Sequence, residues 1–244
     1  MSPADLEAEK RHASVAAAEL IEDGMTVGLG TGSTVAHFLR ALADRHLKDL
    51  RCVATSVATE QQGAERGLPV EPFEQLGRLD VAVDGTDQVD PAGWLIKGGG
   101  GAHTREKIVA AAADRFIVIA DSTKVVERLT APVPVELLRF GLPATIAALR
   151  PIHLRDGAPA SPDGGVIADY AGEVDGDPGG HVGLDADVVR QLALRPVDRA
   201  HGDLVPERRA VLAVVEQLAL ERPAGPERRA HRLQHGRVGE RTLQ

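Results

Sequence analysis

Lys97 stands directly before four glycines, Gly98 to Gly101, and Glu106 follows nine positions after the lysine, in the first turn of a predicted helix. A compact ammonium beside bare backbone can face one anion together with several N–H groups. The chain has 5 lysines and 23 arginines, so lysine is not its default cation. Two effects compete at Glu106. A helix terminus favours the charged form by about 0.3 to 1 kcal/mol, under one pKa unit, whereas full burial raises a carboxyl pKa by about 3 to 5 units. Burial therefore decides whether Glu106 is a base or a surface carboxylate. Asp84-Gly85-Thr86-Asp87 closes a hydrophobic run, Leu79 to Val83. Carboxylates at such strand ends serve as acid–base groups or metal ligands, or simply form an Asp-rich turn. Gly28-Leu-Gly30-Thr31-Gly32-Ser33-Thr34 follows a strand and opens a helix. That context attracts phosphate through exposed N–H groups, or makes a tight turn whose Ser33 or Thr34 caps the helix. Lys124, after Ala120-Asp-Ser-Thr, is a second candidate for holding an anionic group, or a solvated lysine opening a helix.

Several chemistries are excluded by what these segments lack. The third glycine of a dinucleotide fingerprint falls on Ser33, and no acidic residue clearly ends the second strand, so a nicotinamide-dependent oxidoreductase is disfavoured. A P-loop would need Gly-Lys-Ser/Thr. Neither H-E-x-x-H nor G-x-S-x-G occurs, and nine scattered histidines show no paired metal spacing, so no metal site is expected and His103 reads as a helix-start residue. Cys52 is the sole cysteine, lies on a predicted strand and is assigned to the core; its solitude fits a reducing compartment. With 28 Lys+Arg against 36 Asp+Glu, the net charge of -8 argues against nucleic acid and anionic membrane as partners, so any anionic ligand must be caught locally. No apolar run reaches the roughly 18 residues of a spanning helix, and the start MSPADLEAEK lacks a signal-peptide shape; a cytoplasmic protein is expected.

These residues must be held by an alternating series of elements. Helical spacing predicts a helix over 4–22; Thr26-Val-Gly-Leu reads as a strand and the helix opened near Ser33 runs to about Asp49. Strands follow at Arg51–Thr55, Leu79–Val83, Trp94–Ile96 and Arg115–Ala120, with helices over Ala58–Arg66 and about Thr104–Asp114. The fold class is α/β: a Rossmann-like, mostly parallel sheet with helices on both faces, plus a smaller α+β domain. Ligands bind such sheets beyond the carboxyl ends of the strands, where the turns after Leu29, Val83, Ile96 and Ala120 would gather. Only six aromatic residues occur, so valine, leucine, isoleucine and alanine must build the core. Length fits one large or two small domains. The division is placed at Pro132: a catalytic domain over 1–131, a small α+β domain over 132–205 with a helix at Val135–Leu149 and a strand at Gly165–Tyr170, and an Arg-rich tail over 206–244 with weak periodicity.

Taken together, the order Gly-Thr-Gly-Ser-Thr, Asp-Gly-x-Asp, Lys-Gly-Gly-Gly, Thr-Arg-Glu-Lys-Ile and Asp-Ser-Thr-Lys resembles ribose-5-phosphate isomerase of the A type, over roughly Glu9 to Tyr170 and including Pro-Val-Pro-Val-Glu at 132–136. The resemblance implies interconversion of ribose 5-phosphate and ribulose 5-phosphate in the non-oxidative pentose phosphate pathway, with no cofactor and no metal. It implies that Thr31, Gly32, Ser33 and Thr34 form a substrate-binding loop. Asp84, Gly85, Thr86 and Asp87 match the family's Asp-Gly-Ala-Asp, and Lys97, Gly98, Gly99 and Gly100 its next binding segment. Glu106 falls on the proton-accepting glutamate and Lys124 on the final substrate-binding lysine. Aldose–ketose exchange needs a base between C2 and C1 and donors for the enediolate oxygen. Glu106 suits the first task, and Lys97 with its neighbouring N–H groups the second. Asp84 could shuttle hydroxyl protons and help open the ring, and Asp87 could hold hydroxyls. The phosphate could be held by the 31–34 loop, Lys97 or Lys124.

Gln88 stands where the family has glutamate, keeping hydrogen-bonding capacity while losing a charge. After Tyr170 the family's characteristic segment and closing strand are not recognisable. A small-molecule sugar phosphate is the expected partner, and likeness to the family implies a homodimer. The alternative is a non-catalytic sugar-phosphate sensor module; such sensors need a separate DNA-binding helix-turn-helix, and a net-negative chain with 25 residues before its first strand is a poor place for one.

Overall fold

The computed structural model describes residues 2–91, 93–130, 132–149, 151–157, 159–171 and, as backbone, 210–216. Helix α1 (Pro3–Glu19) begins with a capping box between Ser2 and Asp5, and Pro3 fills a position that needs no N–H. Strand β1 (Thr26–Leu29) leads into helix α2 (Ser33–Ala43), whose Val35, Phe38, Leu39 and Leu42 recur at core-facing helical spacing and are buried. Then come β2 (Arg51–Ala54), α3 (Val57–Glu65, capped by the Ser56 hydroxyl), β3 (Leu79–Asp84), the short strands β4 (Gln88–Val89) and β5 (Leu95–Ile96), α4 (His103–Ala112) and β6 (Ala113–Asp121).

The main sheet has the order β6-β3-β1-β2, all parallel, and a fifth strand, β10 (Ala210–Glu216), pairs antiparallel with β6 from Ala210↔Asp121 to Glu216↔Arg115. Because side chains alternate across a strand, β6 serves both faces. Ile117 and Ile119 join Val27, Leu29, Val81 and Val83 under α1 and α2, while Phe116 and Val118 join Val53, Ala82 and Val109 on the other face. Cys52 is buried in the first of these cores, as assigned from the sequence, and burial pushes its thiol up to about 12, which silences it as a nucleophile. Parallel alignment puts the carboxyl ends of β1, β3 and β6 side by side, and this edge carries Thr31, Asp84 and Lys124.

Three sequence expectations change. Strand β5 does not enter the main sheet: it pairs with β4 as an antiparallel hairpin, so Lys97 reaches the edge on the arm of a hairpin. The helix expected over Val135–Leu149 is divided. Val133–Leu137 is strand β7, and only Leu142–Ala148 is helical (α5), entered through Gly141 in the left-handed region at φ 67°. Val-Pro-Val-Glu-Leu favours extended backbone, and Pro134, which cannot donate, is tolerated because β7 is the edge of a three-stranded antiparallel sheet in the order β7-β9-β8, with β8 (Ile152–Leu154) and β9 (Val166–Tyr170). Finally, β10 lies within the segment read as an Arg-rich tail. Its run Ala-Val-Leu-Ala-Val-Val is suited to a strand, but the charged residues around it masked that signal. The remainder of 206–244, and 172–205 of the expected small domain, lie outside the described residues.

Candidate active site

Lys97 and Glu106 meet. Lys97 Nζ lies 3.4 Å from Glu106 Oε2 and 2.8 Å from Asp84 Oδ2, and the ammonium also donates to the Gly85 carbonyl. Three separate elements converge: Asp84 ends β3, Lys97 leaves the β4–β5 hairpin, and Glu106 occupies the first turn of α4. All three are withdrawn from water, with side-chain exposures of 4% for Asp84, 6% for Glu106 and 10% for Lys97. The Lys97 ammonium also lies 6.0 Å from the centre of the Phe116 ring.

Burial sets the electrostatics. Removed from water, Glu106 is pushed up to about 7; Lys97 pulls its pKa down, and the negative charge of Asp84 pushes it up again. A carboxyl with that pKa exchanges protons near neutral pH. Burial alone would lower the Lys97 pKa, but the coulombic pull of Asp84 and Glu106 outweighs it and holds the lysine above its ordinary value. The cluster is therefore a permanent cation between two carboxylates, one of which titrates near neutrality.

Asp84 is fixed through both of its oxygens. Its Oδ1 accepts from the N–H of Thr31 at 3.1 Å and of Gly85 at 2.7 Å. Its Oδ2 is buried and lies 2.8 Å from the Lys97 ammonium. The close approach of Thr31 depends on Gly30, where a Cβ would sit 2.1 Å from Asp84 Oδ1. Gly30 was not singled out from the sequence, because a glycine in a turn does not say what it lets near.

The 31–34 loop serves two ends. Thr31 Oγ1 is tied into a hydroxyl cluster with Thr55 (2.8 Å), Ser56 (2.9 Å) and Thr59 (3.3 Å), and Thr59 donates to the Gly30 carbonyl at 2.8 Å. Thr31 thus locks the loop. The residue that caps α2 is Gly32, not Ser33 or Thr34, and its φ of 122° requires glycine; Ser33 is the first helical residue and is exposed. The α2 N-terminus consequently presents its N–H groups without a side-chain cap. Ser14 Oγ of α1 donates to the Thr34 carbonyl at 2.9 Å and steadies this turn.

The other expected residues fall around the same edge. Thr86 is buried and its hydroxyl spans the Gln88 and Ile96 carbonyls at 2.8 and 2.9 Å, pinning the hairpin. Asp87 Oδ2 accepts from the Gly99 N–H at 2.7 Å. Gly98 and Gly101 take positive φ of 92° and 85°, and Gly99 and Gly100 are exposed. Lys124 follows β6 in a single 3₁₀ turn, and no carboxylate among the described residues pairs with it. The turn is anchored from α1: the buried Glu9 accepts from Ser122 N–H at 2.8 Å and from Ser122 Oγ at 2.7 Å. Gln88 is used at both ends of its amide: Oε1 accepts from Thr130 N–H at 2.8 Å and Nε2 donates to Thr130 Oγ1 at 3.1 Å. No group of three His, Cys, Asp or Glu side chains able to hold a metal ion occurs among the described residues.

Comparison with known proteins adds an independent line. The family model for ribose 5-phosphate isomerase A (phosphoriboisomerase A) matches residues 51–178. Ribose-5-phosphate isomerase A of Bradyrhizobium diazoefficiens is 44% identical over 188 residues, covering 74% of this chain and 77% of that one. Among solved structures, ribose 5 phosphate isomerase A from Neisseria gonorrhoeae superposes with a TM-score of 0.67 at 35% identity, over 71% of this chain and 79% of that chain. A D-ribose-5-phosphate isomerase in complex with phospho-erythronic acid superposes with a TM-score of 0.69 at 31% identity, over 88% and 92%.

Proposed function

The chain belongs to the ribose 5-phosphate isomerase A family, is accordingly an aldose–ketose isomerase of D-ribose 5-phosphate and D-ribulose 5-phosphate, and we propose that Glu106, Lys97 and Asp84 carry its chemistry. The observation that supports this reading above all is the buried contact of Lys97 with both carboxylates, one poised near neutral pH. Ionised Glu106 takes the proton from C2 of the open-chain aldose. The C–H electrons form the C1–C2 double bond, and the aldehyde oxygen becomes the enediolate oxygen. As the base is neutralised, negative charge moves from its carboxylate to the substrate, and the Lys97 ammonium stays beside it. Glu106 then returns the proton to C1. Asp84, the second carboxylate on the Lys97 ammonium, relays a proton between the O2 and O1 hydroxyls and assists ring opening. Asp87 and the N–H groups of Gly98 and Gly100 hold hydroxyls. The phosphate is assigned to the bare α2 N-terminus at Gly32, Ser33 and Thr34, with Lys124 as counter-ion. Lys97 is left out of phosphate binding because its ammonium is committed to two carboxylates and a carbonyl.

Two outcomes check this assignment. If ionised Glu106 is the base, kcat/KM for ribose 5-phosphate falls tenfold per pH unit below about 7, measured in a coupled assay across pH 5 to 9. A flat profile down to pH 5 would remove the role. Gly30→Ala, by pushing its Cβ into the Asp84 carboxylate, lowers kcat/KM about 100-fold, the scale of an ångström-level misplacement. Wild-type turnover in that variant would show that Asp84 needs no fixed seat.

Family membership also supports placing the reaction in the non-oxidative pentose phosphate pathway, in the cytoplasm and in a homodimer, which sedimentation of the purified chain would test. No helix among the described residues is long and apolar enough to cross a membrane. We further infer a division into a catalytic unit over 1–131 and a small unit over 132–205, with Ala210–Glu216 returning from the following segment to the first sheet. A non-catalytic sensor would have no use for a buried base beside an ammonium, and no observation favours it.

A further inference from the structure

We propose that Arg155, directly after β8 of the small antiparallel sheet, is a positioning residue of the isomerase site: it holds the glycine loop in the shape that lets Lys97, Asp87 and the loop N–H groups act together. Arg155 Nη1 donates to the Gly99 carbonyl at 2.8 Å. The same guanidinium is held by Asp169 of β9 in a two-pronged contact, Nε to Oδ2 at 2.9 Å and Nη2 to Oδ1 at 2.7 Å. Gly99 is gripped from its other side by Asp87, whose Oδ2 accepts its N–H. A Cβ at Gly99 would lie 2.7 Å from Asp87 Oδ1, so carboxylate and loop are in tight register. The chain of contacts runs Asp169, Arg155, Gly99, Asp87, from one sheet to the edge of the other.

The loop needs such a tie. Four consecutive glycines carry the largest backbone entropy any tetrapeptide can have, and Gly99 and Gly100 are exposed, without side chains to pack. Internally the segment has a turn bond from Gly101 N–H to the Gly98 carbonyl. A planar guanidinium suits the outside anchor, because one edge can be committed to Asp169 through two N–H groups while a third N–H points at a carbonyl. Lysine would reach one partner and leave the other. Arg105, pairing with Asp163 at 2.6 Å, makes a second link between α4 and the small sheet. That pair touches helix and turn rather than the loop, so it is the control.

The inference rests on the proposed site, and its test separates the two. Turnover of Arg155→Ala, Asp169→Asn and the control Arg105→Ala is measured at least 20 °C below each variant's melting temperature, with and without added methylguanidinium. Arg155→Ala is expected to lose about 10- to 100-fold in kcat and to recover severalfold with methylguanidinium, which can refill the space against Asp169. The double variant Arg155→Ala/Asp169→Asn, lacking that seat, is not expected to recover. Arg105→Ala keeps kcat within twofold. Full turnover of folded Arg155→Ala, or a loss that methylguanidinium does not relieve, overturns the proposal and leaves a structural tie only. If Arg155→Ala does not fold, Asp169→Asn carries the test: a kcat within twofold of wild type overturns it, and a larger loss with an unchanged control supports it. Glu106→Gln assayed alongside keeps the readings apart. An active Glu106→Gln would overturn the base assignment whatever Arg155 does, whereas an inactive one beside a full-speed Arg155→Ala would overturn only this inference.

Discussion

Glu106→Gln is expected to lose about 10³- to 10⁴-fold in kcat while KM and the affinity for ribose 5-phosphate stay within about threefold, because the amide keeps the shape and hydrogen bonding of the side chain but cannot take a proton. Single-turnover measurement separates loss of chemistry from loss of binding, and near-normal turnover would dismiss Glu106 as base. The same substitution should also alter stability, with a defined sign. The folded carboxyl titrates near 7, against an ordinary value of 4.5. Between those limits the folded state holds the proton more tightly than the unfolded chain, so Glu106 favours folding in acid and loses that contribution as pH rises through 7. Removing the titration should raise the melting temperature at pH 8 relative to wild type by about 2 to 8 °C, the equivalent of about 1 to 2 kcal/mol in a chain of this size. The difference should shrink steadily below pH 7 and vanish only below about pH 4.5. Activity would here be maintained at the expense of stability, as buried functional charges generally require.

Lys97→Met should be the more damaging change, because it strikes chemistry and folding together. Without the ammonium, Asp84 and Glu106 face each other as two buried carboxylates with no cation between them. Breaking a buried pair from one side costs about 3 to 5 kcal/mol, enough to lower the melting temperature by about 6 to 20 °C at neutral pH. Loss of stabilisation at the enediolate removes about 10²- to 10³-fold from kcat. The pH dependence distinguishes this from simple loss of packing. Without the pull of Lys97 the Glu106 pKa rises further above its unfolded value, so stability should recover as pH falls toward 5, whereas a packing defect would not. Lys97→Arg should not restore activity. The wider, planar guanidinium cannot occupy the position 2.8 Å from Asp84 and 3.4 Å from Glu106 that the ammonium takes. Parallel thermal melts at pH 5 and 8 with the coupled assay would read all three effects, and a pH-independent deficit would refute the electrostatic account.

The parts of the fold that were legible in advance are those whose signal is local. The spacing Val35, Phe38, Leu39, Leu42 makes α2 amphipathic whatever surrounds it, and the apolar run Phe116 to Ala120 has few options but a buried strand. Strand β7 was misread because Val-Pro-Val-Glu-Leu is stabilised by its partner β9, thirty-odd residues away, and nothing within the pentapeptide announces that partner. The same holds for β10, whose neighbour β6 precedes it by about ninety residues. At the edge of the sheet, the sequence could identify Thr31, Thr86 and Asp87 as a matching set but not divide their labour. The Thr31 and Thr86 hydroxyls turn inward to brace the loops, whereas Asp84 turns an oxygen to the Lys97 ammonium.

By itself, then, the amino-acid order determined which residue types were available and in what succession: an ammonium before bare backbone, carboxylates at a strand end, a glutamate opening a helix, a glycine-rich turn. Those are properties of neighbours along the chain, and short-range physics is enough to read them. Only the tertiary structure decided that Glu106 is a buried carboxyl poised near neutral pH rather than a surface charge, since its proton affinity is set by the removal of water and by Lys97 and Asp84, which other elements bring to it. Proximity of that kind, like the grip of Arg155 on Gly99 from fifty-six positions away, is created by packing and leaves no mark in any single stretch of sequence.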